Sequence, residues 1–365
     1  MAKRRTRRRN NTLPFSAQLI VAQWLFAKFG FESTNGRFLM DNRDVPLIEA
    51  LRDRYQLKGD MTLRNSEGEH AIVSRLLAEA DGLPGISDDE LREYDRNIKH
   101  LTEKLNDGRA IAGEQAIEWK YFQYLMLLFT EVYLDWLFQK PEALRDELNS
   151  HIETWNLAHE DETPLTLLDT KDMPWLELNK VAYWSATGSG KTLIMHANIL
   201  QYQYYLERYG NKKDLGRIIL LTPNEGLTRQ HIQELAIAGI EAAPFTKNQG
   251  SLFDKAVIVI DINKFRDEGK DKTVSTASFG NNNLVLVDEG HRGTSSGGDG
   301  TFLRHRNALC EKGFSFEYSA TFAQAAMKSD AIRQQYSKAI LFDYSYRHFY
   351  ADGYVIPPKN QGSFK

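Results

Sequence analysis

Seven consecutive residues, Ala186-Thr187-Gly188-Ser189-Gly190-Lys191-Thr192, constrain this chain more than any others. An apolar run at 181–184 leads into them and reads as a short buried strand, and a helical pattern from Leu193 to about residue 206 leaves them. Strand, glycine-rich turn, Lys-Thr and helix is the context of a phosphate-binding loop. Glycines let the backbone curl until successive N–H groups converge on phosphate oxygens. The helix N-terminus adds a partial positive charge. In that reading Thr187, Gly188, Ser189 and Gly190 cradle the phosphates of a nucleotide, Lys191 reaches the β- and γ-phosphates, and the Thr192 hydroxyl ligates Mg2+. The general pattern has glycine five residues before Gly190, where this chain has Ser185.

A second constellation stands about a hundred residues on. Leu284-Val285-Leu286-Val287 is a buried strand that ends in Asp288-Glu289-Gly290-His291. Four apolar residues ejecting two acids is a Walker B arrangement. Asp288 would hold Mg2+, directly or through water, and Glu289 would orient and deprotonate an attacking water. Ser319-Ala320-Thr321 closes a further apolar strand at 314–318. Thr222-Pro223-Asn224-Glu225 closes another, and the helix after it carries Arg229. Its N-terminus is a place for a nucleic-acid phosphate, with Thr222, Pro223, Asn224 and Arg229 as the contacts.

The chain has 365 residues, enough for two or three domains, and its 42% hydrophobic content can bury a substantial core. Net charge is only -3, but Lys3, Arg4, Arg5, Arg7, Arg8 and Arg9 crowd the N-terminus with no acid among them. Residues 1–12 are expected to be a disordered basic arm, suited to a phosphate backbone or serving as a solubility or targeting tail. No apolar segment of signal-peptide type follows it. The single cysteine, Cys310, excludes an internal disulfide framework and a cysteine-built zinc cluster. The most apolar stretch, 124–138, is interrupted by Glu131 and Asp135 and does not read as a membrane span. A soluble, cytoplasmic protein is expected.

Helical periodicity dominates 13–160, with segments near 15–29, 45–55, 67–80, 116–138 and 141–157, and a capping box at Ser87-Asp88-Asp89-Glu90 that opens a long charged helix. Residues 161–180 read as a linker. From residue 181 to 358, short apolar, often β-branched runs alternate with helices. That pattern predicts an α/β fold with a mainly parallel, doubly wound sheet whose ligands bind at the carboxyl ends of the strands.

The order Ala-Thr-Gly-Ser-Gly-Lys-Thr, Thr-Pro-Asn-Glu, Asp-Glu-Gly-His and Ser-Ala-Thr resembles motifs I, Ia, II and III of the superfamily 2 DEAD/DEAH-box helicases. The Asp-Glu-Gly-His and Ser-Ala-Thr-Phe forms, with Phe342-Asp343-Tyr344-Ser345 and Phe349-Tyr350-Ala351-Asp352-Gly353-Tyr354, look like the Res (motor) subunits of type III restriction enzymes. The resemblance covers roughly 116–358. It implies a RecA-like P-loop NTPase domain at 181–358 and ATP with Mg2+ as cofactors. It further implies ATP-driven translocation on, or remodelling of, duplex DNA in restriction or antiviral defence. It assigns Lys191, Asp288 and Glu289 to catalysis, Thr192 and Asp288 to the metal, and His291, Ser319 and Thr321 to coupling. It also implies a methyltransferase or specificity subunit as partner. Family members read adenine with a glutamine upstream of motif I. Gln123 is the candidate here, and a surface glutamine on a core helix explains it nearly as well. Residues 359–365 are expected to lead toward a second RecA-like domain, which makes this chain the N-terminal portion of a larger motor. An RNA-directed helicase and a nucleotide- and DNA-binding module without turnover are the alternative readings.

If the arm contacts nucleic acid, its six charges release about five counterions, at about 0.9 per phosphate neutralised. Deleting residues 1–10 is therefore expected to flatten the log–log salt dependence of DNA binding and to weaken binding to all sequences alike. An unchanged salt slope would make the arm a tail without a nucleic-acid role.

Overall fold

The computed structural model describes residues 13–57, 68–79, 82–168, 175–210, 215–246, 256–265, 275–289 and 301–354. The expected basic arm at 1–12, the tail at 359–365 and His291 lie outside the described residues.

After a short 3-10 turn, helix α1 (Ile20–Lys28) precedes a hairpin of β1 (Arg37–Met40) and β2 (Arg43–Pro46). The hairpin turns on Asp41 and Asn42, both at positive φ, the pairing that a two-residue turn of this hand requires. Then come α2 (Leu47–Arg54), α3 (Ala71–Leu76), α4 (Asp88–Ile111), α5 (Tyr121–Gln139) and α6 (Pro141–Ala158). The Ser87 capping box is present at the start of α4, with Ser87 and Glu90 satisfying each other's backbone N–H groups. Pro141 takes the first turn of α6, where its missing N–H costs nothing.

The remainder alternates as expected. In order it contains α7 (Trp175–Leu178), β3 (Lys180–Ser185), α8 (Lys191–Tyr209), β4 (Ile218–Thr222), α9 (Glu225–Ile237), β5 (Ala242–Pro244), β6 (Val257–Asp261), β7 (Leu284–Asp288), α10 (Thr301–Leu309), β8 (Phe314–Ser319), α11 (Phe322–Ala326), α12 (Asp330–Ser337), β9 (Ile340–Tyr344) and α13 (Tyr346–Ala351). Seven strands form one all-parallel sheet in the order β5-β6-β4-β7-β8-β3-β9. Strand periodicity divides the apolar side chains between the two faces. In β7, Leu284 and Leu286 join the large core beneath α5 and α8, whereas Val285 and Val287 pack with Phe265, Phe279 and Leu309 on the other side.

The expected helical domain at 13–160 and the linker at 161–180 are not a division in the packing. One hydrophobic core runs from Trp24 and Phe26 through Phe129 and Leu134 to Tyr183, Phe316 and Phe342. The reason is α5, which is apolar all round and buried from Tyr121 to Leu137. Such a helix needs covering on every side. It lies between α8 and β9 on one side and α1, α4 and α6 on the other. The segment after α6 is a strap and not a free link. Asn156 exchanges two hydrogen bonds with the backbone of Leu165 at 2.9 and 2.8 Å, and Asn149 does the same with Leu168 at 3.1 and 2.7 Å.

At the centre of α5 sits Glu131, fully buried. Its carboxyl accepts from Asn97 Nδ2 of α4 at 2.9 Å and from Gln201 Nε2 and Tyr205 Oη of α8, each at 2.6 Å. Those donors favour the carboxylate, but burial outweighs them and pushes the group up to about 7. Between the ordinary value of 4.5 and about 7 the folded protein therefore keeps a proton that the unfolded chain has released. Stability falls as pH rises through that window, by about 3 kcal/mol in all. Thermal melts at pH 5 and pH 8 test this. Wild type is expected to melt higher at pH 5, and Glu131→Gln is expected to lose most of that difference whatever its absolute stability. An unchanged pH difference in the variant would show that Glu131 does not carry this proton.

Candidate active site

The phosphate-type loop leaves the carboxyl end of β3. Ala186 N donates to Tyr344 O at 2.9 Å, so the first residue of the loop is pinned to the end of edge strand β9. Gly188 and Gly190 both adopt φ of +87°, in the left-handed region that glycine enters without penalty. Gly190 is also the N-cap of α8, and a Cβ there would stand 2.3 Å from Gln123 Nε2. Ser185, the departure from the general pattern, is the last residue of β3. It keeps negative φ, and its side chain is buried against Met126 of α5, so the position does not need glycine. Lys191 Nζ donates to the carbonyls of Ser185 and Ala186 at 3.3 and 3.2 Å. These are long bonds to neutral acceptors, and phosphate oxygens are stronger partners for an ammonium.

Strand β7 is separated from β3 by β8 alone, which brings Asp288 and the loop to one edge of the sheet. Asp288 ends β7, and Glu289 follows at φ of 57°. A non-glycine residue in that region costs about 1–3 kcal/mol, a strain that collects at functional positions. Asp288 Oδ2 accepts a hydrogen bond from Nε2 of His231 in α9 at 3.0 Å. In β8, Ser319 is buried and its Oγ accepts from Thr321 N at 3.1 Å. Thr321 Oγ1 has no hydrogen-bond partner among the described residues. Trp184 Nε1 of β3 donates to Ala320 O at 3.1 Å, which ties the Ser-Ala-Thr segment to the strand that carries the loop.

Gln123 reaches the loop despite its distance in sequence, because α5 folds back over α8. Its Nε2 donates to Ser189 O at 2.9 Å and its Oε1 accepts from Lys120 N at 2.9 Å. The nucleic-acid candidates separate. Asn224 and Arg229 are exposed, with Asn224 Oδ1 capping α9 through Leu227 N at 3.0 Å. Pro223 is half-buried. Thr222 is a correction: it is fully buried and its hydroxyl is bonded to that of Thr228 at 2.6 Å, because it is the last residue of a central strand and its side chain turns inward beneath α9. It does not offer its side chain to a ligand.

Sequence reasoning missed the floor of the loop. Phe122 stacks on Tyr344 with ring centroids 3.8 Å apart, and Phe349 stacks on Tyr354 at 5.0 Å. Phe349 lies under Gly188, where a Cβ would meet its ring at 3.7 Å. Asp352 holds this floor, accepting from Tyr344 Oη at 2.5 Å, from Arg52 Nη1 at 2.6 Å and from Tyr121 Oη. The segments at 342–345 and 349–354 were visible as motifs. Their partners in α2 and α5 were not, because those lie more than two hundred residues away in the chain.

These residues fit a nucleotide with Mg2+. The loop curls on two left-handed glycines, Ser189 Oγ is buried with no partner among the described residues, and the candidate metal donors, Thr192 and Asp288, offer oxygens, the hard ligands that Mg2+ prefers. A seven-stranded all-parallel sheet with this loop after β3 and an Asp-Glu pair after β7 is a RecA-like α/β core. The comparison with known proteins agrees. Residues 149–324 match the family model described as Type III restriction enzyme, res subunit. The likeness over 149–324 is thus to a helicase-type ATPase motor family, a class that uses nucleotide and usually Mg2+. No curated protein matches the sequence.

Solved structures with detectable likeness include the Sulfolobus solfataricus SWI2/SNF2 ATPase core in complex with dsDNA, 14% identical, covering 44% of this chain and 33% of that one with a TM-score of 0.30. Another is an S. cerevisiae Dbp5 variant bound to Nup159, Gle1, IP6 and ADP, 19% identical over 52% of this chain and 51% of that one, TM-score 0.31. A third is the RNA helicase Prp28 from Chaetomium thermophilum bound to ADP, 19% identical over 47% and 43%, TM-score 0.27. The matched region thus spans a third to about half the length of these proteins. Among the described residues no helix is long and apolar enough to cross a membrane.

Lys191→Ala removes the ammonium that faces the loop while leaving the glycine curl and the helix cap in place. Affinity for a fluorescent ATP analogue is expected to fall at least about tenfold, the loss of one charge-assisted contact of about 1.5–3 kcal/mol, with the melting temperature nearly unchanged. Equal affinity in wild type and variant would remove the nucleotide from this loop.

Proposed function

We propose that this chain is the ATP-hydrolysing motor part of a translocase or helicase that moves on or remodels duplex DNA in a restriction or phage-defence system. The observation that carries the reading is the meeting of the 186–192 loop and the Asp288-Glu289 pair at the carboxyl ends of β3 and β7, on either side of β8. In this reading the loop amides and Lys191 hold the phosphates of ATP, and Thr192 and Asp288 hold Mg2+, which neutralises charge on the phosphate oxygens. Glu289 takes the proton of the attacking water. Gln123 holds the loop backbone at Ser189 through its amide N–H. Ser319 and Thr321, with His291, relay nucleotide state, and Trp184 is added to that set by its bond to Ala320.

Duplex DNA is favoured by the Res-subunit match over 149–324 and by the six basic residues of the N-terminal arm. Asn224 and Arg229 at the start of α9 supply phosphate contacts. A methyltransferase-like specificity subunit is the partner that the Res-type resemblance implies.

Steady-state phosphate release with duplex DNA, single-stranded DNA and RNA tests the reading. Duplex DNA is expected to stimulate most. Glu289→Gln is expected to lower turnover by about 10² to 10⁴, the worth of a positioned general base, while ATP still binds. Stimulation by RNA alone would transfer the proposal to an RNA substrate. Nucleotide binding without turnover under every condition would leave a binding module in place of a motor.

A further inference from the structure

Asp288 is held from outside its own strand. Its side chain is 13% exposed, and its Oδ2 lies 3.0 Å from Nε2 of His231, whose side chain is 4% exposed. A carboxylate only accepts, so the imidazole donates from Nε2. The other ring nitrogen, Nδ1, has no hydrogen-bond partner among the described residues. Among the described residues the ring therefore has one polar anchor, the carboxylate of the candidate metal ligand.

His231 belongs to α9, not to the loop or to β7. The same helix presents its N-cap Asn224 and Arg229, one turn further on, to solvent. Its far end is fixed against α4 by a close backbone approach, where a Cβ on Gly108 would stand 2.4 Å from Gly239 N. A cavity of about 290 Å³ between α4, α8 and α9 is lined by Arg109, Thr192, His196, Glu234 and Ile237, and His231 is not in its wall. Both ring nitrogens of His196 and Oε2 of Glu234 also lack hydrogen-bond partners among the described residues. Among the described residues no other side chain is hydrogen-bonded to His231.

We infer that His231 is a positioning residue for the Mg2+ ligand: it donates from Nε2 to Oδ2 of Asp288, keeps the remaining carboxylate oxygen for the metal, and so makes the metal site depend on where α9 sits. The inference rests on the reading of Asp288 as a Mg2+ ligand. Removing an outer partner of a metal ligand costs about 10–100-fold in metal affinity, whereas a bond that only braces the fold would leave metal affinity alone.

The test uses the full chain with a fluorescent ATP analogue, titrated with Mg2+ and measured separately in EDTA, in wild type, His231→Leu, His231→Gln and Asp288→Asn. His231→Leu is expected to raise the Mg2+ midpoint about 10–100-fold with analogue affinity in EDTA unchanged. His231→Gln keeps an N–H donor at similar reach and is expected to stay close to the wild-type midpoint. A wild-type midpoint in His231→Leu would overturn the inference, and so would equal impairment of the Gln and Leu variants. If His231→Leu loses analogue binding in EDTA as well, the Gln variant decides alone: a wild-type midpoint supports the inference and a raised one overturns it. Asp288→Asn separates the two levels, because a wild-type midpoint there shows that Asp288 does not hold the metal at all.

Discussion

The burial of α5 is the constraint on which the rest of this molecule depends. Seventeen consecutive residues, Tyr121 to Leu137, are shielded from water, and no single layer can shield a helix on all sides. The α/β core supplies one wall through α8 and β9, and α1, α4 and α6 supply the other. Beyond Gln123 in its first turn, three buried polar side chains, Thr130, Glu131 and Asp135, break that apolar surface and have partners to satisfy them. Glu131 collects donors from α4 and α8, Asp135 accepts from Tyr94 at 2.9 Å, and Thr130 shares a hydrogen bond with Tyr183 of β3 at 2.5 Å. A buried polar group without its partner is costly, so these bonds fix the register of α5 against its neighbours more narrowly than apolar packing does.

That register reaches the candidate site directly. The first turn of α5 delivers Gln123 to the carbonyl of Ser189, Phe122 to the ring of Tyr344, and Tyr121 to Asp352. The loop therefore rests on a floor assembled from three sources: α5, the end of β9 and the segment around α13. Its start is bonded to Tyr344 O, and its middle lies over Phe349. A glycine-rich loop is conformationally costly to order, and this floor supplies the contacts that offset the cost. The opposite side of the site is braced differently, through a single side chain of α9 on Asp288. The loop is thus held by the helical part of the chain, and Asp288 by α9, at whose start Asn224 and Arg229 face solvent. Nucleotide and nucleic acid would act on adjoining parts of one packed unit.

The sequence by itself determined what depends on local chemistry. The sheet strands β3, β4, β7 and β8 were legible as short apolar runs, because a strand covered on both faces must be apolar throughout. The edge strand β5, only three residues long, gave too little pattern to read. The loop, Asp288 and Glu289 were legible as motifs because the residue types that mark them stand within a few positions of one another. The capping box at Ser87 was legible because all its partners lie within four residues. The turn at Asp41-Asn42 carried a readable signal that helical periodicity on either side obscured.

Only the tertiary structure decided where the helices go. Periodicity marked 116–138 as a core helix, but an all-round apolar helix does not name the surfaces that cover it, and the two parts of the chain proved to share one core. Thr222 stood in a motif beside Asn224, yet the two side chains differ in fate because the strand ends between them and turns one inward. His231, Trp184 and Asp352 owe their roles to partners 57, 136 and as many as 300 positions away. A sequence records a hydrogen bond or a phosphate contact only when its physical cause is local. When the partner arrives from a distant part of the chain, the packing of the sheet and its helices is what chooses it.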